Sequence, residues 1–549
     1  MKRNSNNNHR NAIRLEEMRV SLVLKSLLVG ACTGGCVAAY RWLLMGIESG
    51  LDAVYEGLRA EPGRLPLWAL ATAGIGLAVG AIAAKNRMAS GSGIPQVTGL
   101  IRGYFRYDWL RVLLAKFFGG ALAFCAGAAL GREGPSIQMG ACIADGLGGG
   151  IASSRTERKV LIAGGASAGL AAAFGAPLAG VLFAFEEIFR YLSPALLLAT
   201  TVAAMSADYV TNWVFGMEPV FDIPVPEALP LRLYGLLIAL GVLLGVFGAV
   251  YNRALIGVQQ GYAGLWRRLC LLPVAASARR ARAGMTRLSA FLAWCKPAPV
   301  FLLALPIGML LPAALGSGTA ALGQIGPAAG LGLLAALLLV RFAFSVTSFA
   351  SGSPGGIFLP LLILGALVGG LFATACVQLF GVDPVFYNNF VVMAMAGAFA
   401  AIVRAPITGI VLLTEMTGSF THLLPITVVS ICAYVTAEVL KSAPVYESLL
   451  KGFLGGAAKD GGDGGGDGGG DSGAHIMLQA VVHLGSRAAG RAVKDLSLPQ
   501  GCLLVAVTRG GRDIVPSGAT VLRESDRVLI LCDRSKEAKL RRALDETFC

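Results

Sequence analysis

Residues 131–135 read Gly-Arg-Glu-Gly-Pro and fall between two apolar runs of a strongly hydrophobic chain. Two glycines and a proline oppose a continuous helix, so the pentapeptide marks a break at which backbone N–H groups are free to face a ligand. Its carboxylate, Glu133, belongs to a segment too apolar for water on either side. An ionisable group at membrane depth is costly to keep there, which makes it a functional-site hypothesis by default. Two more glycine-rich breaks, Gly91–Pro95 (GSGIP) and Gly352–Pro360 (GSPGGIFLP), extend the single residue into a pathway.

The surrounding composition supports membrane depth. Of 549 residues, 55% are hydrophobic and 14% charged, with a mean hydropathy of +0.68, whereas soluble chains carry about 25% charged residues. Apolar runs long enough to span a bilayer recur at Leu22–Leu44, Leu65–Ala84, Ala195–Val214, Leu233–Tyr251, Leu331–Phe349 and Leu423–Leu440. The expected class is an all-α polytopic membrane protein. No cleavable signal peptide is apparent in the polar, basic stretch Met1–Arg19.

The net charge of +14 sits mostly beside membrane segments. Lys2, Arg3, Arg10 and Arg14 precede the first span, and Arg267, Arg268, Arg279, Arg280, Arg282 and Arg287 fill one long connection. The positive-inside rule puts both regions in the cytoplasm. Anionic lipid, rather than nucleic acid, is the expected partner of this charge. Eleven cysteines without CxxC or Cys/His spacing, and four scattered histidines, support neither a disulfide framework nor a metal site. With no nucleophile–base pair either, an enzyme is not expected.

The chain divides near residue 454. Residues 455–473 form a glycine/aspartate tract that reads as a flexible linker. Beyond it, 474–549 carry short strand candidates at Gln479–His483, Leu503–Thr508, Asp513–Val515 and Arg527–Leu531, then a basic terminal helix at Ser535–Glu546. This predicts a small α+β domain, cytoplasmic like the N-terminus. Within 1–454 the sequence repeats itself. Ala172–Glu186 aligns with Ala401–Glu415 at an offset of 229, and Gly91-Ser92-Gly93 with Gly316-Ser317-Gly318 at an offset of 225. Duplicated transporters bind substrate where broken helices of both repeats meet.

Each break offers the same chemistry. Glycines allow close approach of backbone to an ion, and a helix starting just after leaves unpaired N–H donors and the positive end of its dipole. Ser92 adds a hydroxyl, and Gly355–Phe358 adds consecutive amides. That suits a permeant anion, which a full positive charge would hold too tightly to release. In such a path Glu133 would repel the substrate when ionised and yield when protonated. A structural salt bridge to Arg132 is the competing reading. Glu186 or Glu187 supplies a second acid near Arg190, a proton route to the cytoplasm or an ordinary helix-end carboxylate.

GSGIP, GREGP, GSPGGIFLP and the late Pro444-Val445-Tyr446 together resemble the CLC family of chloride channels and chloride/proton antiporters. Supporting stretches are Lys116–Gly120 (KFFGG), Phe174–Glu187 and Val403–Thr417. The resemblance covers about residues 15–455 and implies a homodimer with an inverted-repeat pore in each subunit. It implies chloride contacts from the Ser92 and Tyr446 hydroxyls and from the amides of Ile357 and Phe358. Glu133 would be the external gate and proton acceptor, competing with chloride for amides around Arg132, Gly134 and Ile357–Leu359. Glu187 would be the internal proton glutamate that channels of the family generally lack, so the pair argues for exchange; a chloride channel of the same fold is the alternative. Chloride and protons are the substrates, with no cofactor, and the setting is the inner (plasma) membrane. Many members place acids after GSGIP where this chain has Gln96 and Thr98. Lys116 is therefore expected to shed its proton or to find hydroxyl and water partners.

Ala480–Leu531 resembles the RCK C-terminal (TrkA-C type) domain of potassium-transport regulators. That implies dimerisation and a site for a small effector, cyclic di-AMP or another nucleotide, with His483, Arg487 and Arg491 as anion contacts. A purely structural dimer clamp is the competing reading.

Overall fold

The computed structural model describes the chain except residues 1, 191–192, 218–220, 222, 224, 226, 276–290, 419, 461–474, 483–485, 487, 497–501, 510–511, 525, 534–546 and 548–549. For residues 2–19, 270–275, 455–460, 475–479, 481, 512–513, 527 and 532–533, only the backbone is described. The chain forms two compact units, Met1–Ala457 and Ala458–Cys549.

The first unit is helical. Its first half comprises α1 (Lys2–Ala60), α2 (Leu65–Lys85), α3 (Ile94–Arg102), α4 (Trp109–Cys125), α5 (Glu133–Ile151), α6 (Arg155–Phe174), α7 (Pro177–Phe183) and α8 (Pro194–Phe215). Its second half repeats the order with α9 (Tyr234–Ala275), α10 (Ala298–Leu310), α11 (Thr319–Leu322), α12 (Leu331–Ala350), α13 (Phe358–Phe380), α14 (Tyr387–Val403), α15 (Pro406–Thr417) and α16 (Leu423–Val439). A last helix, α17, spans Val445–Asp460, so the opening residues of the expected linker, 455–460, are helical.

Among the described residues, seven segments are long and apolar enough to cross a membrane. The runs read at 22–44, 65–84, 233–251 and 331–349 fall within four of them; Phe291–Leu310, Phe358–Phe380 and Pro384–Val403 complete the set. The run at 195–214 forms α8, and that at 423–440 forms the shorter apolar helix α16.

The halves meet as a pseudo-two-fold pair. Gly131 and Gly356, equivalent at the offset of 225, exchange both backbone hydrogen bonds at 2.7 Å in an antiparallel bridge. Equivalent residues that swap donor and acceptor in this way are related by a local two-fold, as inverted repeats require. The core around this axis is aromatic: the Phe358 ring lies 5.2 Å from Phe174 and 4.7 Å from Phe399.

The second unit is a four-stranded antiparallel sheet, ordered β1 (His475–Val481), β4 (Arg527–Asp533), β2 (Cys502–Arg509), β3 (Arg512–Ile514). Val482, Leu504, Val507, Leu522, Val528 and Ile530 form its core. Every expected strand has a counterpart, but the first begins at His475 and ends at Val481, earlier than read. The terminal helix read at 535–546 lies outside the described residues.

Candidate anion pathway

The three glycine breaks are tied to one another by backbone. Gly91 N donates to Ser353 O at 3.2 Å, and Gly355 N donates to Gly91 O at 3.1 Å. Gly91 and Gly93 sit at φ 68° and 99°, a left-handed turn that a side chain would strain. At Gly134 the approach is so close that a Cβ would come within 2.6 Å of Ser92 Oγ. Ser92, the start of α5 and the start of α13 are therefore neighbours.

The ladder of α13 begins with Leu361 N donating to Ile357 O at 3.0 Å. The amides of Ile357, Phe358 and Leu359 precede that bond and have no intrahelical acceptor; Pro360 has no N–H. Leu359 N donates to Glu133 Oε2 at 3.3 Å. Glu133 itself is fully buried. Its Oε1 lies 3.9 Å from Arg132 Nε, beyond hydrogen-bond range, and among the described residues neither atom has a hydrogen-bond partner. The carboxylate thus docks on an amide of the opposite repeat, and Arg132 acts on it through charge alone. The buried hydroxyls of Ser92 and Tyr446 likewise have no protein partner among the described residues. The Tyr446 phenol lies within electrostatic range of Glu133 and Glu187.

The two acids left open by sequence are separated by geometry. Glu186 accepts from Ile407 N at 3.1 Å and from Thr408 N and Oγ1 at 2.7 Å each, capping α15. Glu187 is buried at 4% exposure and faces Arg190 at 4.0 Å. Arg190 in turn donates to Glu447 at 3.1 Å, which Lys451 also contacts. A π-helical turn, Ala184–Phe189, carries both acids.

Two further residues escaped the sequence reading. Glu415 accepts from Leu178 N and Ala179 N at 2.9 and 2.8 Å, capping α7. It is the repeat partner of Glu186, and the offset of 229 that aligned them was the available signal. Arg341, fully buried, donates to the carbonyls of Ala314, Leu315, Gly316 and Ser317. It stands 225 residues after Lys116. Lys116 Nζ donates to Ala89 O at 3.0 Å and to Gly91 O at 2.5 Å, so its protein partners among the described residues are backbone carbonyls rather than hydroxyls. Gln96 Nε2 takes the carbonyl between them, Ser90 O, at 2.7 Å. Thr98 Oγ1 is buried without a partner among the described residues.

In the second unit Arg491 is exposed and bonded through its backbone to Ala488 and Leu522. His483 and Arg487 lie outside the described residues.

Fold and site together define a polytopic, inverted-repeat membrane protein whose broken helices seat a buried glutamate on an amide of the opposite repeat. The family described as voltage gated chloride channel matches residues 74–438, and the chain belongs to that family, the CLC proteins. A TrkA-C domain matches residues 477–545. The chain is 35% identical over 437 residues to the H(+)/Cl(-) exchange transporter ClcA of Vibrio cholerae, covering 74% of this chain and 88% of that one. It is 36% identical over 370 residues to ClcA of Cronobacter sakazakii, covering 66% and 74%. Among solved structures, a slow cyanobacterial Cl-/H+ antiporter is 29% identical with a TM-score of 0.68, over 79% of this chain and 98% of the other. A eukaryotic CLC transporter, at 23% identity and a TM-score of 0.63 over 79% and 74%, shares the fold.

Proposed function

We propose that the protein is a chloride/proton antiporter of the inner (plasma) membrane, acting as a homodimer with one pathway per subunit and both termini in the cytoplasm. The observation that carries this reading is the Glu133 carboxylate seated on the Leu359 amide. A carboxylate there occupies an anion position, so chloride and Glu133 compete for one set of donors. When Glu133 takes a proton it loses its claim on the amide and swings away, and chloride moves in. When chloride leaves, the ionised carboxylate returns and its proton has crossed part of the membrane. The Ile357 and Phe358 amides and the Ser92 and Tyr446 hydroxyls hold the dehydrated anion without a full positive charge, which permits release. Arg132 and the Gly134 amide bias the gate region toward negative charge. Glu187, buried beside Arg190, passes the proton to the cytoplasmic side.

A channel of the same fold is the second reading, and the buried acid at Glu187 favours exchange over it. Vesicles reconstituted with the full chain separate the two, since a chloride gradient drives proton movement only through an exchanger. Glu133→Ala is expected to retain chloride flux and abolish proton movement; retained coupling would overturn the gate assignment. The C-terminal domain is proposed to regulate transport by binding a small nucleotide such as cyclic di-AMP. The same flux assay with and without that compound tests it.

A further inference from the structure

We propose that the turn Gly316–Gly318 is a further site for a small monovalent anion, outside the pathway built around Glu133, and that the chain fills it with its own carboxylate, Glu48. Glu48 lies on α1, in the first half of the unit, and the turn belongs to the second half. Ser317 N donates to Glu48 Oε1 at 2.9 Å. A Cβ on Gly316 would come within 3.1 Å of that same oxygen, so the anion position rests on bare backbone. Gly316 and Gly318 hold φ of 58° and 87°, the left-handed region that glycine adopts without strain.

Behind the turn stands Arg341 of α12, fully buried. Its guanidinium donates to Gly316 O and Ser317 O, and its Nε has no partner among the described residues. It lies so close to Gly318 that a Cβ there would overlap it. A trans peptide points its C=O and N–H in opposite directions. The hold of Arg341 on Gly316 O therefore aims the Ser317 N–H away from the guanidinium and at Glu48. Among the described residues no carboxylate stands within ion-pair distance of Arg341, and the acid within its electrostatic range is Glu48. A buried positive charge without a counter-charge is costly, so a negative charge on the Ser317 amide is favoured.

One donor and one positive charge separated by a peptide match a single negative oxygen or a halide, and they repel a cation. Glu48 meets that need as Glu133 does on Leu359 N: each acid comes from the first half and docks on an amide of the second. Asp52, one turn further along α1, would oppose a free anion. It is exposed, so water and salt screen its charge, whereas the buried charge of Arg341 is screened much less. Seated on the turn, Glu48 ties α1 to the second half and keeps free anions out.

The probe is bromide, located by anomalous diffraction in crystals of the full chain. At one bromide concentration, Glu48→Ala is expected to gain a bromide on Ser317 N that the parent lacks. No bromide there in the variant would overturn the proposal. Bromide there in the parent would overturn it too, since Glu48 would then not hold the place. If Glu48→Ala fails to fold, Glu48→Gln decides by the same reading. Its carboxamide keeps the size of the side chain but carries no charge to balance Arg341, so bromide is expected to displace it, and an empty Ser317 amide would sink the idea.

Discussion

Glu186 and Glu187 are adjacent in sequence and differently placed: the first caps α15 and the second is buried beside Arg190. One residue turns a side chain by about 100° around a helix, and the π-helical turn that carries them decides which acid faces the helix cap and which faces the interior. Glu187→Gln is expected to cut proton flux at least about ten-fold, as loss of a proton-transfer group does, with chloride flux retained in the same vesicles. Parent-like exchange would remove Glu187 from the route. Much at this scale was legible beforehand. Glu133, Ser92 and the amides of Ile357 and Phe358 announced themselves because glycine and proline spacing marks backbone breaks in sequence. The choice between the two acids came from the family resemblance and not from the residues themselves, since it depends on which amides of a distant helix stand nearby. The partners of Lys116 were hidden for the same reason, because carbonyls carry no sequence signature.

Helices were easiest to read where they are uniformly apolar. The run at 22–44 was plain, yet α1 continues to Ala60. Beyond residue 45 it becomes amphipathic, with Leu51, Tyr55 and Leu58 buried at spacings of four and three. That periodicity is a helix signal, and the intervening Glu48, Asp52 and Glu56 had masked it from a reading based on hydropathy. Short broken elements owe more to their caps. α7 has seven residues and begins at a proline, so the Glu415 carboxylate on Leu178 N and Ala179 N satisfies donors that its own turn cannot. Glu415→Gln keeps the shape but aims an NH2 group at those donors. It is expected to cost about 1–2 kcal/mol, read as a lower melting temperature of the solubilised full chain. Glu415 matches the cap Glu186, whereas the repeat equivalent of Glu187 is Met416, so this variant is expected to leave the proton-to-chloride ratio unchanged.

As a molecule the chain is two units, each with its own core, and they answer differently to acid. In the sheet unit Asp526 is buried and accepts from Arg509 Nε and Nη2 at 2.9 and 2.7 Å and from Arg523 N at 2.8 Å. The Arg509 hydrogen bonds hold its carboxyl below the usual value. A depressed folded value stabilises the unit at every pH above the unfolded carboxylate value of about 3.9, and that contribution drains away as pH falls below it. Hydrogen-exchange protection of β2 and β4 is therefore expected to hold from neutral pH to about 5 and to weaken below about 4. Asp526→Asn should lose about 1–3 kcal/mol of protection already at neutral pH and remove the acid dependence. The reciprocal caps of α7 and α15 have a consequence for synthesis. The chain emerges from its N-terminus, so α7 is made long before its cap: Glu415 lies 236 and 237 residues beyond the amides it satisfies. Until then the first half waits in the membrane with open donors, and it is finished only when the second half delivers Glu415 and receives Glu186 in return. Each half thus lacks one of its helix caps until the other half is made, and that interval is when the growing chain is least satisfied.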